Sequence, residues 1–398
     1  MTRGGPRLII VLAFVAFVSL GLPDGVLGVA WPSVRATFGR PLSHLGILLA
    51  CSTSAYLVSS FLGGQFVRAV GVGKLLLASG LMVAVALAGM SLAPSWRALV
   101  VFAAFGGLGG GAIDAGINTF AASRFSARVV NWLHACWGVG ATTGPVLMTA
   151  VLARGLPWTV GYEVLAVALA LLSGLFLFTL RLWTIVPGSA GEAPGEAAPL
   201  TAGIVEALRR PLVWMQLLLF FVYCGIESTA GQLLYSLLTE SRGVAHTTAG
   251  LATGGYWASL TAGRVVFGQL TASLGRRRVL RAGLGLAPVA ALMLWSNAGT
   301  VASVAGAALL GFALAPIFPT LISITPDRVG AYFAPQAVGF QVAAANVGIA
   351  LLPGAVGVLA RRQGLEIVCV FLVVASILLF VMEEAVALAA KRRGDRGE

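Results

Sequence analysis

Charged residues are scarce in this chain. Only 10% of its 398 residues are Asp, Glu, Lys or Arg, whereas soluble domains contain about 25%. Hydrophobic residues make up 58%, and the mean hydropathy is +0.94. This composition excludes a soluble globular protein and predicts a polytopic membrane protein. The net charge of +12 does not indicate a nucleic-acid partner, because the basic residues fall in short loops between apolar segments, where they orient membrane spans.

Catalytic and metal-binding groups are also scarce, with three histidines and four cysteines in the chain. Because the cysteines have no metal-ligand spacing, we expect free thiols that pack as small hydrophobic groups. No Ser, His and acid cluster, phosphate-binding loop or nucleotide-binding domain is visible. The sequence therefore predicts neither an enzyme nor an ATP-driven pump, and it predicts no cofactor and no metal. The cysteines are Cys51, Cys136, Cys224 and Cys369.

The apolar segments are long enough for twelve spans, since a spanning helix needs about 20 mostly apolar residues. Arg3 and Arg7 imitate a signal peptide, but the many later spans favour an uncleaved first helix. We predict an all-α membrane protein with two pseudo-symmetric six-helix bundles, at 1–182 and 212–398, joined by a cytoplasmic linker at 183–211. The predicted spans are 8–31, 45–67, 74–93, 97–121, 130–153, 159–181, 212–238, 248–271, 279–296, 300–323, 335–359 and 365–388.

The distribution of Lys and Arg predicts the orientation of these spans. With the N-terminus inside, 18 of these residues face the cytoplasm and 7 face outward, and Arg264 within a span completes the 26. Both termini are then cytoplasmic, as an even number of spans requires. We expect the protein to be a multi-pass monomer in a bacterial-type plasma membrane, with the lipid bilayer as its surroundings.

Short sequence matches between the two halves indicate an internal repeat. Inverted or parallel repeats of this kind place a substrate site near the bilayer midplane, between the halves. Four matches lie 204 residues apart, and two more fall in the fifth and eleventh spans. The matched residues are Gly64 with Gly268, Gln65 with Gln269, Gly71 with Gly275, Lys74 with Arg278, Gly140 with Gly348, and Pro145 with Pro353.

The fourth span contains an acid among glycines. The segment 106–120 reads GGLGGGAIDAGINTF, and its glycines predict that neighbouring helix backbones pack closely against it. Asp114 and Asn118 are four residues apart and therefore share one helix face. A carboxylate in hydrocarbon costs at least about 3 kcal/mol, so we expect a functional role for this face.

Three carboxylates lie well within spans, and we predict that they carry proton coupling: Asp114, Glu227 and Asp24. Burial favours the protonated form of such a group, which suits proton exchange near neutral pH. The alternative is a structural carboxylate held by Arg264 or by backbone donors. For Arg264 we expect a state-dependent ion pair or gate with a neighbouring helix; snorkelling to the interface and binding of an anionic substrate group are the alternatives.

Midspan amides and aromatic rings predict a site for a hydroxylated solute. Amides offer a donor and an acceptor together, and flat aromatic faces suit a sugar's C–H face. Each single ring could equally belong to the core or the interface belt. We expect Pro316 and Pro319 in the tenth span to permit bending. The candidate substrate-binding residues are Asn118, Gln232, Gln341, Asn346, Trp137, Tyr256 and Trp257.

Two loops give the chain a resemblance to the major facilitator superfamily over nearly its whole length. The segments GGQFVRAVGVGK and FGQLTASLGRRR resemble the cytoplasmic loop motif of that superfamily. The motif normally has an acidic residue where this chain has Arg68 and Ala272. The resemblance implies a secondary transporter with alternating access. The acidic residue that usually forms part of the charge-relay gate at this motif is absent.

Within the superfamily the chain resembles the fucose permease branch, through the pattern Asp114-x3-Asn118-x-Phe120. That resemblance implies import of a sugar or similar small polar solute together with protons, with sodium as the other coupling ion to consider. The alternatives are a proton-coupled exporter of amphipathic compounds and a membrane sensor without transport. The partners expected are thus a small-molecule substrate and protons.

Overall fold

The computed structural model describes residues 5–125, 127–183 and 202–394, and every regular element in that part of the chain is helical. Most of the predicted linker, 184–201, lies outside the described residues. The helices are α1 (Gly5–Thr37), α2 (Leu45–Val70), α3 (Val72–Ser91), α4 (Trp96–Arg124), α5 (Ala127–Ala153), α6 (Trp158–Thr179), α7 (Ile204–Leu208), α8 (Pro211–Ser236), α9 (His246–Leu274), α10 (Arg276–Trp295), α11 (Thr300–Leu314), α12 (Ile317–Val329), α13 (Ala334–Gln363) and α14 (Ile367–Gly394).

Eleven helical stretches among the described residues are long and apolar enough to cross a membrane. The predicted eighth span, 248–271, falls in α9, which has 29 residues but is not one of the eleven. Its length is sufficient, and its content of Thr, Ser and Gly together with Arg264 lowers its hydropathy. The fold is therefore the predicted all-α membrane architecture, with one span more polar than the rest.

The predicted tenth span is interrupted. α11 ends at Leu314 and α12 begins at Ile317, with Pro316 in between. Because proline has no N–H and its ring clashes with the preceding turn, Pro316 favours the break at this point. By contrast, Pro145 and Pro353 lie inside the continuous helices α5 and α13.

The chain forms two compact units. The first comprises Met1–Glu196 and Ala245–Gly254, and the second comprises Ala197–Val244 and Gly255–Glu398. In the first, α1 packs on α5, and α4 packs on α2 and α3. In the second, α8 packs on α13 and α14, and α10 packs on α11 and α14.

Glycines of α4 allow the close packing that the sequence predicted. A Cβ atom on Gly107 would lie 2.0 Å from the carbonyl oxygen of Ser52, and one on Gly111 would lie 2.2 Å from that of Tyr56. Real Cβ atoms do not approach this closely, so α2 and α4 can touch only because these positions carry no side chain. The prediction of close packing is confirmed at these two positions.

The second unit repeats these contacts at corresponding residues. A Cβ atom on Gly311 would lie 2.3 Å from the carbonyl oxygen of Tyr256, and both residues lie 200 positions after Gly111 and Tyr56. The two glycines that follow the second and eighth spans also share a backbone conformation, with φ of +79° at Gly71 and +83° at Gly275. The internal repeat is therefore present in backbone packing, and not only in short sequence matches.

Two buried or partly buried ion pairs join segments of the second unit. Arg328 of α12 pairs with Glu383 of α14, and their side chains are only 9% and 5% exposed. Glu383 lies inside α14, which continues to Gly394, and the carboxylate is buried. At the other end of the unit, Arg242 donates to Glu366 at 2.8 and 2.7 Å.

Candidate functional site

Two acids of the first unit belong to one polar cluster. Asp24 of α1 is exposed and accepts a hydrogen bond from the Trp137 indole of α5, with Nε1 3.0 Å from Oδ2. Asp24 and Asp114 interact electrostatically, so the charge on one carboxyl group, on α1, affects the other, on α4. We define Asp24, Trp137, Asp114, Tyr56 and Asn118 as the acidic cluster.

The Asp114 end of the acidic cluster is held by amide and hydroxyl groups. Asn118 donates from Nδ2 to Oδ1 of Asp114 at 2.8 Å, which confirms that the two side chains share a helix face. Tyr56 of α2 also hydrogen-bonds to the Asp114 carboxylate, and His134 of α5 interacts with it electrostatically. The cluster thus draws on α1, α2, α4 and α5.

The exposure of Asp24 and its position along the span indicate the environment of its side chain. It is the seventeenth residue of the 30-residue span Leu8–Thr37, which places it near the middle of the membrane. A charged side chain at that depth is strongly disfavoured in hydrocarbon, and such residues face the bundle interior or a water-filled cavity. We therefore expect Asp24 to face water or the bundle interior and not lipid.

The intramembrane acid of the second unit has different partners. Oε2 of Glu227 lies 2.5 Å from the Tyr223 hydroxyl and 3.8 Å from Nη2 of Arg264. The Tyr256 hydroxyl donates to the backbone oxygen of Glu227 at 2.9 Å. Arg264 of α9 thus lies beside a carboxylate of a neighbouring helix, which is the arrangement that the ion-pair hypothesis requires.

Asp24 and Glu227 occupy equivalent positions in the repeat. A Cβ atom on Gly140 of α5 would meet the carbonyl of Val18, and one on Gly348 of α13 would meet that of Phe221. Asp24 lies six residues after Val18, and Glu227 lies six residues after Phe221. The two units therefore present a carboxylate at the same place on α1 and on α8.

The equivalence does not extend to Asp114. It lies three residues after Gly111, and the residue three after Gly311 is Leu314. The first unit therefore places a second carboxylate where the second unit has only a leucine with its backbone carbonyl. In the second unit the Tyr223 hydroxyl also lies 3.1 Å from this carbonyl oxygen.

Four predicted substrate residues are buried inside the second unit. Gln341 is fully buried, and its Nε2 donates to Oε1 of Gln216 at 2.7 Å and to the Thr325 hydroxyl at 2.9 Å. The side chains of Tyr256 and Trp257 are 0% and 5% exposed, and that of Gln232 is 6% exposed. In this structure these four side chains stabilise the packing of the unit and do not line an open surface.

Three predicted substrate residues remain partly exposed. Asn118 and Trp137 border the carboxylates of the acidic cluster. Asn346 of α13 is also partly exposed, and its Nδ2 donates to the carbonyl of Val342 at 2.8 Å, which leaves its Oδ1 able to accept. These three are the members of the predicted set that could contact a solute without rearrangement of the core.

Sequence reasoning missed the roles of Tyr56 and Tyr223. Tyr223 precedes Glu227 by four residues, the spacing that brings two side chains together on one helix face. Tyr56 could have been noticed through its repeat partner Tyr256, 200 residues later. The sequence offered these signals, but neither spacing reveals which carboxylate a tyrosine meets.

Comparison with protein families and curated proteins gives consistent matches. A family model described as Major Facilitator Superfamily matches residues 10–237 and 217–396. An uncharacterised MFS-type transporter of Yersinia pestis is 24% identical over 380 residues, which cover 94% of each protein. The protein called Bypass of stop codon protein 6 from Saccharomyces cerevisiae is 22% identical over 404 residues, covering 90% of this chain and 78% of that protein.

Solved structures share the fold at low sequence identity. A bacterial homologue of the human lysosomal transporter Spinster, inward-facing and unoccupied, has a TM-score of 0.80 and 14% identity, covering 98% of this chain and 99% of that one. A point mutant of the nucleoside transporter NupG has a TM-score of 0.77 and 12% identity, covering 94% of this chain and 98% of the other.

Proposed function

Because the chain belongs to the major facilitator superfamily and is a multi-pass secondary transporter, not an enzyme, we propose that it takes up a small hydroxylated solute together with protons. The observation that supports this proposal best is the acidic cluster, in which Asp24 and Asp114 influence each other beside partly exposed polar groups. Two neighbouring carboxylates repel each other when both are ionised, and one bound proton removes that repulsion. Proton binding would therefore change the charge that a solute meets.

The proposed solute class follows from the groups beside the acids. Asn118 and Asn346 offer amide donors and acceptors, and Trp137 offers an apolar face next to Asp24. A sugar or polyol presents hydroxyl groups and C–H faces that fit this combination. One structural neighbour is described as a nucleoside transporter, so nucleosides join sugars and polyols in a screen for the substrate.

Glu227 is the second proposed coupling group. It occupies the repeat-equivalent position of Asp24 and has Arg264 beside it at 3.8 Å. An ionised Glu227 attracts the guanidinium, and a protonated Glu227 does not, so proton binding would weaken a contact between α8 and α9. Such a change within one unit can bias an alternating-access equilibrium, provided that the two states hold the pair differently.

The proposed orientation has both termini in the cytoplasm of a bacterial-type cell, with 18 basic residues on that side and 7 outside. It is tested independently of transport by labelling single cysteines in intact cells, in a background without the four native cysteines. A cysteine introduced at Arg40 should react with an impermeant thiol reagent, and one introduced at Lys391 should not.

The coupling proposal is tested in proteoliposomes with the solute that stabilises the protein most strongly in a thermal-shift screen. With a proton gradient, we expect Asp114→Asn to lose accumulation but to retain exchange of labelled solute across the membrane. The control is Glu163→Gln, which changes an exposed carboxylate of α6 outside the acidic cluster. Full gradient-driven accumulation by Asp114→Asn would reject the proton role of Asp114.

Two further conditions separate the remaining alternatives. Uptake at fixed pH that stops when sodium is withdrawn would replace protons by sodium as the coupling ion. Extrusion of amphipathic compounds, with no accumulation of any hydroxylated solute, would favour the exporter.

A further inference from the structure

Tyr223 lies between two hydrogen-bond acceptors. Its hydroxyl is 2.5 Å from Oε2 of Glu227 and 3.1 Å from the backbone oxygen of Leu314. A phenol has one proton to donate, so it cannot donate fully to a carboxylate and to a carbonyl at the same time. Which acceptor receives the proton depends on the charge of Glu227.

An ionised Glu227 is the stronger acceptor, because hydrogen bonds to charged groups are about twice as strong as those between neutral groups. In that state the Tyr223 proton is directed to the carboxylate, and Leu314 loses this donor. When a proton from water binds Glu227, the new carboxylic O–H can donate to the Tyr223 oxygen. The phenol keeps its own proton and turns it to the Leu314 carbonyl.

The second acceptor is located where the tenth span breaks. Leu314 is the last residue of α11, and α12 begins at Ile317 after Pro316. The last carbonyls of a helix have no intrahelical donor, so an outside donor such as the Tyr223 hydroxyl can satisfy the Leu314 carbonyl. A hydrogen bond gained or lost at this carbonyl therefore acts on the junction between α11 and α12.

Among the described residues, few charged or titratable groups interact with Glu227. Those that interact with it electrostatically are Tyr223 and Cys224 on its own helix, and Tyr256 and Arg264 on α9. The helix α13, which packs closely on α8, presents the carbon side chain of Leu352 to Gly225. Arg264 attracts the ionised carboxylate. The Tyr223 hydroxyl can donate to the ionised carboxylate and can accept from the protonated one.

We propose that Tyr223 is a positioning residue that transfers one hydrogen bond between the Glu227 carboxylate and the Leu314 carbonyl, and so links proton occupancy at Glu227 to the junction of α11 and α12. The inference deepens the proposed function, since it assumes that Glu227 binds and releases protons during transport. In the first unit the position equivalent to Leu314 is Asp114, which adds a side-chain carboxylate at this place.

The test is amide hydrogen exchange of the peptide covering 311–320 in the full-length protein over the whole pH range in which the protein stays folded, with labelling times scaled to the intrinsic rate at each pH. We expect this peptide of the wild-type protein to exchange about two- to tenfold more slowly when Glu227 is protonated, as one hydrogen bond allows. Tyr223→Phe keeps the ring and removes the hydroxyl, and it should abolish that pH dependence.

Two further variants keep the test decisive. The glutamine of Glu227→Gln is neutral at every pH. The peptide 311–320 of this variant should therefore exchange at every pH at the slow rate that we expect for protonated Glu227. Tyr235→Phe makes the same substitution twelve residues later on α8, about 18 Å along the helix axis, and should retain the wild-type pH dependence. A pH-dependent exchange that persists in Tyr223→Phe or in Glu227→Gln would overturn the proposal.

This experiment uses neither a substrate nor a gradient, so its outcome is separate from that of the transport test. If Asp114→Asn accumulates solute normally while Tyr223→Phe abolishes the pH dependence, the coupling role of Asp114 fails and the Tyr223 link stands. If transport is coupled as proposed but the exchange of 311–320 is insensitive to Tyr223, only the link fails.

Discussion

Gly107→Ala should separate α2 from α4 and destabilise the first unit. The added Cβ atom would lie 2.0 Å from the carbonyl oxygen of Ser52, and ordinary van der Waals contact begins at 3.4 Å. The difference, 3.4 minus 2.0, is 1.4 Å of displacement against backbone atoms, which cannot rotate away. Overpacking of this kind costs about 1–3 kcal/mol, opposed by up to about 1 kcal/mol from the better helix propensity of alanine.

The matched control is Gly110→Ala, three residues later on the same helix. Its Cβ atom would meet Tyr56 Cδ2 at 3.6 Å, an ordinary contact, so the helix propensity gain should remain. Thermal unfolding in one detergent should therefore rank Gly110→Ala at or above the wild-type protein and Gly107→Ala below it. If Gly107→Ala were as stable as Gly110→Ala, the close packing of α2 and α4 would not have the energetic role described above.

Two remaining predictions concern ion pairs of the second unit. The Arg242 guanidinium holds the pKa of Glu366 below its usual 4.5, so the pair stabilises the fold above about pH 4.5 and this stability disappears as the pH falls further. Glu366→Gln should cost about 1–2 kcal/mol at pH 7, discounted for the exposure of the carboxylate. The cost should decline as the pH falls through the lowered pKa of Glu366, and a cost that does not change with pH would contradict the assignment. Glu383→Leu should lower the free energy of unfolding by about 3–5 kcal/mol, because it leaves Arg328 buried without its carboxylate. Adding Arg328→Met should recover most of this loss. A double variant as unstable as Glu383→Leu would refute this prediction.

The architecture follows from composition and from the length of the apolar segments. Twenty apolar residues in a row have few alternatives to a membrane span, and short matches between the halves indicated the repeat. The span at 248–271 was predicted from the length of its segment, although Arg264 and many small polar residues dilute its apolar character. The exact break at Pro316 was less predictable, since a proline inside a span can either bend or interrupt a helix.

The candidate site could be predicted in part. Asp114 and Asn118 share a face because helix periodicity alone places them together, and the sequence was sufficient for that. The burial of Gln341 could not be predicted, because a midspan amide satisfies its hydrogen bonds equally well with a solute or with a neighbouring helix. Here Gln216 and Thr325 provide those partners, and they lie 125 and 16 residues away along the chain.

The central claim is that solute and protons move together through the acidic cluster. It is tested most directly by imposing a solute gradient, and no pH gradient, on proteoliposomes that enclose a pH-sensitive dye. We expect inward solute movement to acidify the lumen with the wild-type protein, and solute to exchange without acidification with Asp114→Asn. Solute entry by the wild-type protein with no change in luminal pH would contradict the claim.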